Sequence, residues 1–269
     1  MAALSFQTML PQGETARFGD VRRRERTDST NREVLDLARA GAPEGVVVVA
    51  DHQTAGRGRR GRAWVAPPGT ALMASVLLRP AMEPGAAHLA VACVALAAAE
   101  ACEAVAAVRP ALKWPNDLVV DDAGGGTGKL AGILAETLVN GSRLDAVVVG
   151  MGLNVVRTPD PPAGAVFLED LAGGAVDRDG LLRAWLDRLD RRYPLLGAPA
   201  GRRALLDDYR RRCATLGRRV RVALDDGALE GRAVGLTGAG HLVVEGAGGR
   251  HEIGAGDVVH LRTVEPPAR

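Results

Sequence analysis

The chain has 269 residues, of which 47% are hydrophobic and 25% charged, and its formal net charge is +2. This composition excludes a disordered or collagen-like chain and leaves room for one large domain and a smaller one. With so little net charge, any anion site must come from local clustering of basic residues. The longest uncharged apolar run, Leu89 to Ala99, falls well short of the ~20 residues a bilayer span needs, so no transmembrane helix is expected. The start of the chain lacks the basic and apolar segments of a secretory signal, which points to the cytoplasm. Cys93, Cys102 and Cys213 form no CxxC pair and read as buried thiols rather than a disulfide framework or zinc site.

In chain order, residues 1 to about 20 read as a tail, with no helix-turn-helix pattern. Thr30 and Glu33 have capping-box spacing, so a helix is expected from about Asn31 to Ala40. Val46 to Ala50 and Leu72 to Leu78 read as buried strands, and the alanine-rich stretch Ala86 to Val108 as a helix packed on a sheet. Further short strands are expected at Ala111–Trp114, Leu118–Val120, Lys129–Leu138 and Ala146–Gly150, with a hairpin signal at Asn140-Gly141. Strands in succession without intervening helices imply a mixed, largely antiparallel α+β domain rather than a doubly wound one. Helices at Asp179–Tyr193 and Arg202–Cys213 close it. From Gly217 onward, short alternating segments divided by glycine turns suggest a small SH3-like β-barrel in fixed contact with the rest. The resulting domains are 1–20 (tail), 21–214 and 215–269.

Four segments carry chemistry. In GRGRRGR, Gly56 to Arg62, four guanidinium groups within six residues repel one another unless anions sit among them, and the glycines let the backbone fold closely around a ligand. A polyanion site, a solvated turn and a nucleic-acid-binding stretch all fit that segment alone. Its formal match to GxGxxG is rejected, because strand-like AWV follows where a dinucleotide site needs a helix. GGGTGKL likewise fails as a P-loop, with Ala123 in place of the first glycine and Leu130 in place of Ser or Thr.

In KWPND, Pro115 stops a strand and aims Asn116 and Asp117 from its end, which suits a polar ligand or magnesium as well as a plain turn. The only two lysines among 34 basic residues, Lys113 and Lys129, stand sixteen positions apart. A chain that otherwise uses arginine keeps lysine where a compact ammonium is wanted. Lys129 opens KLAGILAE, where it would neutralise charge growing on a carbonyl or phosphoryl oxygen or merely guard a strand edge. Finally, Gly150, Gly152 and Asn154 in VVVGMGLNV place small residues along one face of a strand.

Taken together, STN at Ser29–Asn31, QTAGRGRRGRAW at Gln53–Trp64, KWPND at Lys113–Asp117, GKLAGIL at Gly128–Leu134 and GMGLN at Gly150–Asn154 resemble the biotin protein ligases, over roughly residues 26 to 265. The class it resembles is the short one without an amino-terminal DNA-binding domain, so no operator binding is expected. The chain departs from the family pattern at Val166-Phe167, where Thr-Ser is usual, and in the extra glycines before Lys129.

The resemblance implies a fold like the class II aminoacyl-tRNA synthetases and biotin–lipoate ligases. It also implies ATP, biotin and Mg2+, formation of biotinyl-5′-AMP, and transfer to a lysine of the carrier domain of an acetyl-CoA or acyl-CoA carboxylase. By motif position, Ser29, Thr30, Asn31, Gln53, Gly56, Arg57, Gly58, Arg59, Lys129, Gly132, Gly150 and Gly152 would meet biotin, and Arg60, Arg62, Trp64, Asn116 and Asn154 the adenylate. Lys129, Arg57 and Asp117 would be catalytic, with Asp117 also near magnesium. The Gly/Arg loop would order over the adenylate, its arginines gaining partners only then. Neither DNA nor a membrane is an expected partner, and the state is monomer or homodimer. A lipoate or octanoate transferase is the alternative on the same scaffold, and a nucleic-acid module using GRGRRGR is the rival of another class.

Overall fold

A computed structural model describes residues 17–121, 126–224, 227–254 and 256–260. The tail up to residue 16 and most of the extra glycines before Lys129 lie outside the described residues. Arg17 to Asp20, expected to belong to the tail, are docked: Phe18 is buried against the Tyr193 ring, and Arg17 pairs with Glu44 and Asp190.

The first strand, β1 (Val21–Thr27), carries the arginines of VRRRERT and has no apolar alternation, so the sequence did not reveal it. It runs parallel to β2 (Val47–Gln53) at the sheet edge, where charged side chains discourage further pairing. The helix between them, α1 (Thr30–Arg39), is capped by Ser29, one residue earlier than the expected Thr30 box. Glu33 turns instead to Arg24 and Thr27 on β1. The shift leaves Thr30 and Asn31 buried in the first helical turn with their polar groups free to face the sheet.

The remaining strands of the large sheet are β3 (Ala71–Leu78), β4 (Ala111–Lys113), β5 (Asp117–Asp121), β6 (Thr127–Asn140) and β7 (Arg143–Asn154), in the order β1-β2-β3-β7-β6-β5-β4. All pairings other than β1 with β2 are antiparallel, as the mixed reading requires. The Asn140-Gly141 signal marks the β6–β7 hairpin, with Asn140 paired to Arg143 and Gly141 at φ +60°. Alternation sorts β7 by face. Val147, Val149, Met151 and Leu153 enter the main core, Ala146 and Val148 pack beneath α1, and Gly150 and Gly152 continue that second face beyond the helix.

The main core is closed by α2 (His88–Ala106), α4 (Arg178–Arg192) and α5 (Pro199–Arg212), while α3 (Leu168–Ala172) is a single short helix. Pro84–Ala106 is by length and composition long and apolar enough to cross a membrane, contrary to the expectation from its uncharged run, but 72% of its most apolar window is buried in this fold. That is the burial of a core helix. Cys93 and Cys102 are free thiols on α2, pushed up to about 12 by burial, and Cys213 is also free.

A second, antiparallel sheet, ordered β11-β10-β9-β8-β12, comprises β8 (Arg219–Leu224), β9 (Gly227–Leu236), β10 (Leu242–Gly246), β11 (Gly249–Ile253) and β12 (Asp257–His260). Its inner side chains Val220, Val222, Leu236 and Leu242 belong to the same core cluster as α2. The indole of Trp114 donates to Gly240 O at 3.0 Å, which pins β4 to this sheet.

Candidate active site

A cavity of about 480 Å³ opens on the α1 face of the large sheet, beyond the first turn of that helix, and is closed on its other side by β8 and β12. Sites for small organic ligands span roughly 300–1,000 Å³. Three groups of residues line it: a polar floor, an arginine loop and a lysine–aspartate pair.

The floor comes from α1 and β2, and Ser75 of β3 supports it from beneath without lining the cavity. Ser75 Oγ lies 2.7 Å from both Thr30 Oγ1 and Asn31 Oδ1, and Gln53 Oε1 accepts from Thr30 N at 2.8 Å and Thr30 Oγ1 at 3.0 Å. Ser29, Thr30, Asn31 and Ser75 are all buried. Hydroxyls and amides so far from water persist because they satisfy one another. They offer donors and acceptors to a flat polar ring.

Gly150 and Gly152 line the cavity beside this floor, and their lack of a side chain also makes room for the protein's own groups. A Cβ at Gly150 would lie 2.0 Å from Asn31 Oδ1, and one at Gly152 would lie 2.3 Å from Trp64 Cε2. A Cβ at Gly132 would be 3.2 Å from both Lys129 Nζ and Trp64 Cζ3. The glycines thus admit the protein's own amide, indole and ammonium into the cavity wall. Trp64 Nε1 is buried and has no hydrogen-bond partner among the described residues, an orphan donor of the kind a ligand acceptor relieves.

The loop Gly56–Arg62 is a small hairpin. Trp64 N donates to Gly56 O at 3.0 Å, Gly58 N donates to Arg62 O at 2.7 Å, and Arg60 (φ +53°) and Gly61 (φ +72°) make its left-handed tip. Each arginine of the loop has a partner within the chain. Arg57 Nη2 meets Glu136 Oε2 at 2.8 Å, Arg59 Nη1 donates to Asn116 Oδ1 and Gly256 O at 3.2 Å each, Arg60 donates to Ala223 O, and Arg62 pairs with Asp257. The mutual repulsion read from the sequence is therefore relieved by carboxylates and carbonyls of the chain itself. Burial draws the Arg59 guanidinium below its ordinary range, with Asp257 and Asp117 opposing.

Lys129 Nζ lies 2.7 Å from Asp117 Oδ1 and 6.0 Å from the centre of the Trp64 ring. Strict alternation would put Lys129 and Gly132 on opposite faces of β6. A bulge prevents it: Val119 pairs with Lys129 and Leu118 with Ala131, so Leu130 is the extra residue and both Leu130 and Ala131 enter the core. Lys129 and Gly132 consequently share the cavity face. The segment holding Val166 supports this placement, since Lys129 N donates to Gly164 O at 2.7 Å and Val166 N to Lys129 O at 3.0 Å. Val166 itself packs on Gly128, where a Cβ would be 2.2 Å from Cγ1.

Of the sequence-predicted residues, Gly56, Arg60 and Asn154 do not line the cavity, and the others do. Asn154 Nδ2 instead donates to the backbone oxygens of Lys129 and Val166 at 3.3 Å each, so it braces the strand end that presents Lys129. Among residues without an expected role, the cavity is lined by Lys113 and Asp257. Lys113 is opposite Asp117 in the β4–β5 register, and burial lowers its pKa, opposed by Asp117 and reinforced by Lys129. The scarcity of lysine was the available signal for Lys113. Nothing local to Arg62 signals Asp257, which is 195 residues away.

Residues 24–154 match the Biotin/lipoate A/B protein ligase family, and residues 215–261 match the Biotin protein ligase C terminal domain. A biotin--[acetyl-CoA-carboxylase] ligase of Mycobacterium tuberculosis is 39% identical over 245 residues, covering 88% of this chain and 87% of the relative. One from Paracoccus denitrificans is 37% identical over 246 residues, covering 87% and 97%. Among solved structures, a biotin protein ligase from Aquifex aeolicus in complex with biotin and ATP is similar with a TM-score of 0.71 and 28% identity, over 91% of this chain and 100% of that one. The chain belongs to the biotin protein ligase family.

Proposed function

We propose that the protein joins biotin to ATP as biotinyl-5′-AMP, releasing pyrophosphate, and then transfers the biotinyl group to one lysine of a carboxylase carrier domain in the cytoplasm. The observation that carries this reading is the convergence, in one cavity, of a polar floor, a basic loop and the Lys129–Asp117 pair. Residues 21–214 provide the catalytic unit and 215–269 the barrel that closes the cavity from the other side.

In the first step a biotin carboxylate oxygen attacks the α-phosphorus of ATP, and the bond to pyrophosphate breaks. The two reactants are anions that repel on approach. Lys129 and Lys113 offset that repulsion where the new bond forms, and the floor amides and hydroxyls hold the ureido ring so that the carboxylate points to them. Arg57, read from the sequence as catalytic, lines the cavity with its guanidinium on Glu136, and we assign it to holding the loop.

The donor set does not fit a resident magnesium site. Asp117 is engaged by Lys129, Asn116 Oδ1 by Arg59, and no group of three metal-binding side chains occurs among the described residues. Magnesium instead arrives on the phosphates of ATP, its usual companions. When Lys129 turns to the acyl phosphate, the Asp117 carboxylate is released and takes the proton of the incoming carrier lysine, whose nitrogen bonds to the biotinyl carbonyl carbon as the bond from that carbon to AMP breaks. The loop and Trp64 shield the mixed anhydride from water meanwhile.

The test is biotin-dependent exchange of labelled pyrophosphate into ATP, followed by transfer to a carrier domain. Both half-reactions are expected with biotin. Exchange driven by lipoate or octanoate and not by biotin would overturn the substrate assignment, and salt-sensitive nucleic-acid binding without exchange would favour the rival use of GRGRRGR.

A further inference from the structure

The floor and the loop meet on one carboxylate oxygen. Glu136, on β6, accepts at Oε2 from Asn31 Nδ2 at 2.9 Å and from Arg57 Nη2 at 2.8 Å. Asn31 is in turn held by Ser75, and Ser75 adjoins Thr30, which bonds to Gln53. The far end of this chain also touches the loop, because Gln53 Nε2 lies 3.1 Å from where a Cβ on Gly56 would stand. Arg57 is therefore bonded to one end of a polar network that runs beneath the cavity, and Gly56 packs against the other.

Glu136 is the ionised link in that network. Its side chain is 24% exposed, against 39% for Arg57, and Asn31 is 4% exposed. Hydrogen bonds to an ionised acceptor are roughly twice as strong as neutral ones. Because the same oxygen takes both donors, a change in the Asn31 amide alters the seat of the Arg57 guanidinium, and the reverse holds equally. Coupling between two such places is reciprocal by thermodynamic necessity.

We propose that Glu136 is a positioning residue that transmits occupancy of the buried Asn31 floor to the Gly/Arg loop by holding Asn31 and Arg57 on one oxygen. The inference rests on the biotin-ligase reading of the same cavity and deepens it: biotin seated on the floor fixes Asn31, Glu136 follows, and the loop settles before the adenylate forms. Glu136 does not itself line the cavity.

The test follows tryptic cleavage after Arg59, Arg60 and Arg62 with and without saturating biotin, together with biotin affinity by calorimetry, in the full chain. Wild type is expected to bind biotin and to be protected by it. Glu136→Gln keeps the shape and removes the charge. It should lose about tenfold of that protection and bind biotin about tenfold more weakly, while kcat for pyrophosphate exchange at saturating biotin changes less than KM.

Arg57→Met, at an exposed position, should uncouple the loop in the same way and carries the test even if Glu136→Gln misfolds. The double variant should be no worse than either single one. Biotin binding without loop protection in wild type, undiminished protection in Glu136→Gln or Arg57→Met, or additive losses in the double variant would each overturn the coupling alone. No biotin binding by wild type would overturn the reading of the cavity as well.

Discussion

The cavity floor and the loop above it are both dense in polar groups, yet they are secured in different ways. The floor is a buried mesh of Ser75, Thr30, Asn31 and Gln53 whose members satisfy one another within the large sheet and its first helix. The loop has little burial and relies on ion pairs and carbonyl contacts, two of which reach across to Ala223 and Asp257 on the second sheet. Exposed pairs of that kind contribute ~1 kcal/mol or less each, so an anionic ligand can replace them at small cost. A rigid floor that selects and a loosely pinned loop that exchanges partners suit a reaction in which a labile intermediate is made, covered and then released.

The comparison yields a ranked set of outcomes. Lys129→Ala removes the ammonium at the junction of both regions and should lower pyrophosphate exchange about a thousandfold, with biotin binding still measurable by calorimetry. Wild-type exchange in that variant would break the assignment. Gly152→Ala should cost about a hundredfold in the same assay, because its Cβ, 2.3 Å from Trp64 Cε2, must displace the indole that joins floor to loop. Unchanged exchange would show that the Trp64 position is dispensable.

Arg59→Gly loosens only the loop. It should leave adenylation largely intact and release the intermediate early, read as unselective labelling of lysines on a bystander protein. Labelling confined to the carrier would show that the loop is not the shield.

The smallest effect concerns the scaffold rather than either region. His88, which lies against His241 between α2 and the second sheet, is held down to about 4, first by burial and then by His241. An unfolded histidine protonates near 6.5. Between those values the unfolded chain binds more protons, so stability should fall as pH drops from about 6.5 toward 4 and be level above that window. Thermal midpoints across the range would show this, and a His88→Asn variant should flatten the slope. An unaltered slope would assign the titration elsewhere, with His260, lowered to about 4 by burial and then by Lys113 and Arg218, the next group to test.

How far these features could be read in the sequence depends on whether their cause is local. The buried strands β2 and β3, the alanine-rich α2 and the β6–β7 hairpin follow from short-range pattern and were legible. Strand β1 was not, because its arginines owe their strand conformation to pairing with β2 rather than to an apolar face. The same limit governs the site. Its glycines and both lysines were visible as motifs or by scarcity, but the bulge at Leu130 that turns Lys129 and Gly132 to one face is a property of pairing with β5. The partners of the arginines, Glu136 and Asp257, come from distant strands, so the sequence shows the positive charges without their counterions.

The most direct measurement of the central claim is a crystal structure with a stable analogue of the biotinyl adenylate. The account predicts the ring of the ligand on Thr30 and Asn31, Lys129 Nζ about 3 Å from an oxygen of the acyl–phosphate linkage, and Arg59 turned to the ligand. An analogue bound away from the floor, with Lys129 still paired to Asp117 and the loop guanidiniums on their present partners, would contradict it.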